Sequence, residues 1–328
     1  MDDGWFGARS SDRAGLVDRT PRPTAFPEGL RPLADHVHGL GMRFGLWVEP
    51  ELVNPDSELF REGPEWVLHL PDRTAHPLRN QLVLDFPLGT HRVLDELCAA
   101  RPALRIEDCS GGGGRVDLAS LARTDQAWTS DDTDAVDRLA IQHGFSQLYP
   151  AQVMGAWVTD SPNPHTCRAV PLRFRFHSAM AGALSIGGDL TRWSAAELAE
   201  TAAYVARYKV VRSTVLTGHQ YRLSSPSDGA HAVQYVARDG GESVVLQWRA
   251  GPVDRAQAPR LRLRGLDPQA AYRVDDDGGT LSTGDGTQRR RARLTRPSGA
   301  AAARRPREPD AGAAPGGVRG CLELSRSS

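Results

Sequence analysis

A chain of 328 residues with 40% hydrophobic content is long enough for two domains and a sizeable core, which excludes a small disulfide-stapled scaffold. Forty Lys plus Arg balance forty Asp plus Glu, so no net field points to nucleic acid, an anionic membrane or an acidic partner. The balance is uneven along the chain, because residues 284–328 carry ten Arg against four acids and the rest of the chain offsets that surplus. Lys209 is the only lysine, a bias that suits a GC-rich coding sequence. Cys98, Cys109, Cys167 and Cys321 lie far apart without CxxC or Cys/His ligand spacing, so neither a disulfide framework nor a metal site is expected. No apolar run approaches the ~18 residues of a membrane span. Asp2 and Asp3 stand where a signal peptide needs its leader, so the sequence reads as cytoplasmic.

In chain order, Gly29 to Gly39 places Leu30, Leu33, Ala34 and Val37 at helical spacing, and Met42 to Val48 predicts a strand ending in Glu49-Pro50-Glu51. Gln81 to Asp85 is a second short apolar run. Arg92 to Ala100 is helical, and Leu104 to Ile106 predicts a strand leading into Asp108-Cys109-Ser110 and four glycines. Gln126 to Thr129 predicts a strand ending in Ser130-Asp131-Asp132-Thr133-Asp134, followed by a helix over Ala135 to His143. Repeated βα units with acids or glycines at the strand ends point to an α/β barrel, whose active sites sit on that face. Ser194-x-x-Glu197 is a capping box, which predicts a helix over Ser194 to Val211 with Leu198, Ala202, Val205 and Tyr208 on its apolar face. After about residue 214 the pattern alternates, as in Ala232 to Val236 and Ser243 to Trp248, and reads as a small antiparallel β-sandwich. From Gly284 on, Arg, Ala, Pro and Gly dominate without periodicity, the composition of a disordered tail.

Several clusters carry chemistry. Asp2-Asp3-Gly4-Trp5-Phe6-Gly7 sets two carboxylates beside an aromatic pair, which suits sugar hydroxyls and a ring face, and equally describes a polar N-terminus. Trp47 before Glu49-Pro50-Glu51 is either a stacking platform or a core residue. Ser110 to Gly114 lacks the GK[ST] of a phosphate loop, so close backbone approach to a ligand is the better reading. Asp131, Asp132 and Asp134 lack the spacing of an EF-hand but suit acid/base work at a strand end. Neither GxSxG nor HExxH occurs.

Five motifs appear in one order: Asp2 to Gly7, Gly45 to Glu51, Arg79 to Asp85, Asp108 to Arg115 and Trp128 to Asp134. Together they resemble the α-galactosidases (melibiases) of glycoside hydrolase family 36, from residue 2 to about residue 275. The resemblance implies a (β/α)8 barrel and a retaining mechanism, in which one carboxylate attacks the anomeric carbon while a second donates a proton and then activates water. It assigns the proton donor to Asp131. By the same matching Asp2 and Asp3 hold galactose hydroxyls, Trp47 lines the sugar pocket, Arg79 contributes to substrate binding, and Cys109 with Gly112 approaches the sugar. The implied substrate is a terminal α-linked galactoside such as melibiose or raffinose, with no metal or organic cofactor, and family members are often homo-oligomeric.

The chain departs from that pattern in one decisive place. The nucleophile is expected on a strand between Asp85 and Asp108, yet Asp85 is followed by Phe86-Pro87-Leu88-Gly89-Thr90 and then directly by a helix. Strand 1, most of strand 2 and an N-terminal β-domain are likewise expected to be missing. The expected organisation is therefore a partial catalytic barrel over 1–213, a β-sandwich over 214–283 and a disordered tail over 284–328. Because a retaining reaction needs both carboxylates, the chain as written is expected to be inactive, a remnant with residual sugar binding. A transferase of the raffinose- or stachyose-synthase type is the alternative.

Overall fold

The computed structural model describes residues 1, 3–9, 14–16, 18, 20–49, 52–66, 80–81, 88–228, 230–249, 261–269, 272–276, 279–283, 291–292 and 319–326. The chain divides into two compact units, Met1–Leu104 and Arg105–Ser328. The expected boundary at 213/214 falls within a continuous helix that shares a core with the sheet following it.

In the first unit, α1 (Arg31–Gly39) starts with Pro32 in its first turn, where the missing N–H costs nothing. Leu52–Val53 (β1) pairs antiparallel with Asn80–Gln81 (β2). Between them α2 (Glu58–Glu62) is capped by Ser57, whose hydroxyl accepts from the Phe60 N–H at 3.2 Å. The unit ends in α3 (Leu88–Ala100), which begins earlier than the sequence predicts. The strand expected over Met42 to Val48 does not form. That segment has no ladder, although the Met1 amino group bonds to Gly45 O and the Met1 carbonyl accepts from the Trp47 N–H, both at 2.8 Å. A strand needs a neighbour to bond to, and Met42, Leu46 and Val48 stay exposed. Most of the apolar run at 81–85 lies outside the described residues.

The second unit opens with β3 (Glu107–Asp108), α4 (Leu118–Leu121), β4 (Gln126–Trp128), α5 (Asp137–Phe145), β5 (Met154–Val158), α6 (Leu172–Ala179) and β6 (Ala183–Ile186). The four strands pair in sequence order and all in parallel, as βα units require. β3 lies just after the strand expected at 104–106, because the Asp125 side chain occupies the Ile106 N–H at 2.9 Å. Next comes α7 (Ala195–Thr217), where both hydrogen bonds of the capping box are present. Its buried face is Thr201, Tyr208, Val211, Thr214 and Val215. Of the predicted stripe Tyr208 is buried and Val205 packs against a core cluster, whereas Leu198 and Ala202 are exposed.

Past α7 the strands turn antiparallel, as the alternation predicts. They are β7 (His219–Ser224), β8 (Ala230–Val236), β9 (Glu242–Arg249), β10 (Leu261–Arg262), β11 (Tyr272–Asp276), β12 (Gly279–Thr283), β13 (Arg291–Ala292) and β14 (Arg319–Arg326). A six-stranded sheet runs β12-β11-β14-β9-β8-β7, and β10 pairs with β13 apart from it. The tail is therefore not irregular throughout, since β14 bonds to β11 on one side and β9 on the other. The alternation Cys321-Leu322-Glu323-Leu324-Ser325 is a strand period that the Arg-, Ala- and Pro-rich composition around it obscures. One core joins the parallel strands, α7 and the sheet, through Met154, Phe174, Tyr208, Val211, Tyr235, Leu246 and Trp248. Among the described residues no helix is long and apolar enough to cross a membrane.

Candidate active site

In a parallel sheet the loops after the strands line one edge, and here four of them carry polar chemistry. At the end of β3, Asp108 is buried and ion-paired with Arg115 Nε at 2.7 Å, while Arg115 Nη2 donates to the Cys109 carbonyl at 2.7 Å. These bonds tie both ends of the glycine run together. Within it Gly112 has φ +82°, and a Cβ there would lie 2.8 Å from Ser130 Cα and 3.1 Å from the Asp131 nitrogen. Only glycine lets the loop lie flat against the backbone that presents Asp131.

Asp131 stands just past the end of β4, exposed, with Oδ1 accepting from the Trp128 indole N–H at 3.0 Å. Trp128 is held in turn. Trp157 packs at 4.6 Å from it, and the Arg138 guanidinium sits 4.7 Å over its ring. Arg138 is buried and donates to Thr129 Oγ1 at 2.6 Å, Ser130 O at 3.1 Å and Gly155 O at 2.9 Å. Burial pulls its pKa down to about 10, still charged at neutral pH, with Asp132 and Glu107 opposing the fall. Arg138 thus ties the Ser130 carbonyl, one residue before Asp131, to Gly155 of β5.

The neighbouring acids have other work. Asp134 is fully buried, which pushes its carboxyl up, but hydrogen bonds from Thr166, the Val136 and Asp137 N–H groups and Arg168 outweigh this and hold it below the ordinary range. It caps the start of α5, as a loop-shaping carboxylate would. Asp132 accepts from the Asp134 N–H at 2.9 Å. Burial pushes the Cys109 thiol up to about 11, the Gly112 backbone opposing and Asp131, Glu107 and Asp108 adding to the rise. At neutral pH it is a protonated thiol and not a nucleophile. After β5, Asp160 accepts from the Trp193 indole at 2.7 Å and the Asp189 N–H at 3.1 Å, a tie between strand ends that the sequence reading missed. Among the described residues no group of three His, Cys, Asp or Glu side chains could hold a metal ion.

Of the predicted site residues, the second unit brings Cys109, Gly112 and Asp131 together. Asp2 and Arg79 lie outside the described residues. In the first unit, Asp3 begins a short 3-10 turn over Asp3–Trp5. Trp47 is half-buried beside Trp5 and Phe6, edge-on to the Phe6 ring at 5.9 Å, and its carbonyl accepts from the Trp5 indole at 2.8 Å. Its surroundings match the core reading of this residue as well as the platform reading. Arg138 and the Asp108–Arg115 pair were not singled out in the sequence, because their partners come together only in the fold.

The chain matches the family model for melibiase in two stretches, residues 1–88 and 86–218, and that for the C-terminal domain of glycosyl hydrolase family 36 over residues 230–286. It is 38% identical to α-galactosidase C of Emericella nidulans over 334 residues, covering 84% of this chain and 44% of that relative. Identity to α-galactosidase AgaA of Geobacillus stearothermophilus is also 38%, over 85% of this chain and 46% of the relative. An alignment longer than the 328-residue chain that uses only part of it requires segments in the relative that have no counterpart here. Among solved structures, an AgaA variant in complex with raffinose superposes with a TM-score of 0.84 at 32% identity, covering 100% of this chain and 51% of that one. The Lactobacillus brevis α-galactosidase gives 0.85 at 27% identity, covering 100% of this chain and 50% of that one. The chain spans about half the length of the relatives it matches, and with two family models and these identities it belongs to glycosyl hydrolase family 36, the family of the melibiases.

Proposed function

We propose that this chain is the acid/base portion of a retaining α-galactosidase, acting on terminal α-linked galactose in oligosaccharides such as raffinose or melibiose, and that by itself it turns over no substrate. The four parallel strands are then consecutive strands of an incomplete (β/α)8 barrel, and the antiparallel sheet with β10 and β13 is the C-terminal sandwich. The observation that carries the reading is the presentation of Asp131 at the end of β4, with the Cys109–Gly112 loop against it. In the proposed chemistry Asp131 gives its proton to the leaving oxygen and then activates water, while Cys109 and Gly112 flank the sugar, with Asp2, Asp3, Trp47 and Arg79 as the further sugar contacts.

The inactivity rests on a count of carboxylates. Retention requires a second one about 5 Å away to attack the anomeric carbon. The family match breaks at residues 86–88, inside the interval where the nucleophile strand belongs. What remains is recognition without a covalent step. Titration of the purified chain with melibiose, followed by tryptophan fluorescence, is expected to give a weak saturable change that Trp47→Ala reduces. A linear response matching that to maltose would sink the sugar-binding part of this reading.

A further inference from the structure

Away from the strand ends, α5 and β5 pack on the antiparallel sheet around a small cavity with room for one water molecule, about 10 Å³. Its walls include Gln142 and His143 of α5, Arg222 of β7, His231 of β8 and Trp248 of β9. Three buried polar atoms in these walls have no hydrogen-bond partner, namely Trp248 Nε1, Gln142 Oε1 and His143 Nδ1. Trp248 is 1% exposed and Gln142 5%, so bulk solvent does not serve them. An orphaned buried polar atom loses its hydration without compensation, and three around one cavity call for a common partner.

The hydrogen-bond roles define that partner. Trp248 Nε1 can only donate and Gln142 Oε1 only accept, since the Gln142 amide nitrogen is already directed to Ser178 O at 3.0 Å. Gln147 turns its amide nitrogen to His143 Nε2 at 3.2 Å and to His143 O at 3.3 Å. An amide nitrogen donates, so His143 Nε2 accepts and the neutral ring carries its proton on Nδ1, a second donor. His231 lies 5.3 Å from the His143 ring and stacks on Trp248 at 5.2 Å. Its Nδ1 lies 2.8 Å from Ser224 O and must carry the proton, which leaves Nε2 as a second acceptor. Burial keeps His231 neutral at ordinary pH, and burial and Arg222 likewise lower His143.

With Arg222 Nη1 committed to Ser146 O at 2.6 Å, the donors on Trp248 and His143 and the acceptors on Gln142 and His231 match the four valences of water. An anion would face Gln142 Oε1 and a lone pair on His231, and a cation would face two N–H groups and Arg222. We propose that this cavity is a resident-water site, in which one water accepts from Trp248 and His143, donates to Gln142 and His231, and so bonds α5 to the sheet.

The test is a water-selective rotating-frame cross-peak experiment on the full chain labelled with 15N-tryptophan. Trp248→Phe identifies the Trp248 indole signal among the seven tryptophans, and the remaining signals report that the fold is kept. A direct, non-exchange cross-peak from the Trp248 indole proton to water, lost or reduced several-fold in Gln142→Met, is the expected result. Absence of that cross-peak in the unmodified chain means a dry cavity and overturns the proposal, as does a cross-peak that Gln142→Met leaves unchanged.

Discussion

Helices α1 and α6 are of similar length and both follow a proline-marked start, yet none of the nine residues of α1 is buried, whereas α6 buries all of its eight but Arg173. The difference does not lie in local helix signals. α6 packs on β5, and Phe176 and Ala179 meet Ala156 and Val158 in one cluster. Around α1 the segment that should supply a strand, Met42 to Val48, has no ladder, and Met42, Leu46 and Val48 remain exposed. A βα unit buries its helix only when the strand has neighbours. The same sequence grammar therefore yields a packed layer in one unit and loosely engaged helices in the other.

Substitutions can break or sharpen this contrast. Phe176→Ala, at a site with 0% exposure, is expected to cost about 3–5 kcal/mol in urea unfolding of the second unit. A loss under 1 kcal/mol would mean α6 is no better packed than α1. Next in size is a pH effect. Burial holds the His231 imidazole down to about 4, against an ordinary value of about 6.5. Between those values the unfolded chain takes up a proton that the folded chain refuses, so stability falls as pH drops from about 6.5 toward 4, by up to about 3 kcal/mol. Unfolding curves across that range should show the slope, and His231→Phe should flatten it. Gly112→Ala combines a positive φ with a Cβ pressed on Ser130, and an expected cost of about 1–3 kcal/mol should be read from the same curves. Leu97→Ala on α3, where Leu97 is 42% exposed, should change stability by less than about 0.5 kcal/mol. A larger loss would show that the first unit is more tightly packed than its exposure indicates.

What the sequence disclosed follows the same division. Ser194-x-x-Glu197 fixed the start of α7 because a capping box is local, and the alternation in 232–236 and 243–248 located β8 and β9 because period two is local. Part of the buried face of α7 was misplaced, since Ala and Leu at 198–203 satisfy several stripes and only the neighbouring sheet selects one. β14 was hidden by the composition of its flanks. At the site, Asp131 with Cys109 and Gly112 was legible through motifs. Arg138 was not, because its role depends on Gly155 and Thr129, which meet it only in the folded sheet.

The central functional claim is that the acid/base carboxylate is in place while its partner nucleophile is not. The most direct test is release of p-nitrophenol from p-nitrophenyl α-galactoside by the purified chain. No release above the uncatalysed background, with the Asp131→Ala variant indistinguishable from the unmodified chain, is the predicted result. Steady turnover that Asp131→Ala abolishes would contradict it and require a nucleophile within these 328 residues.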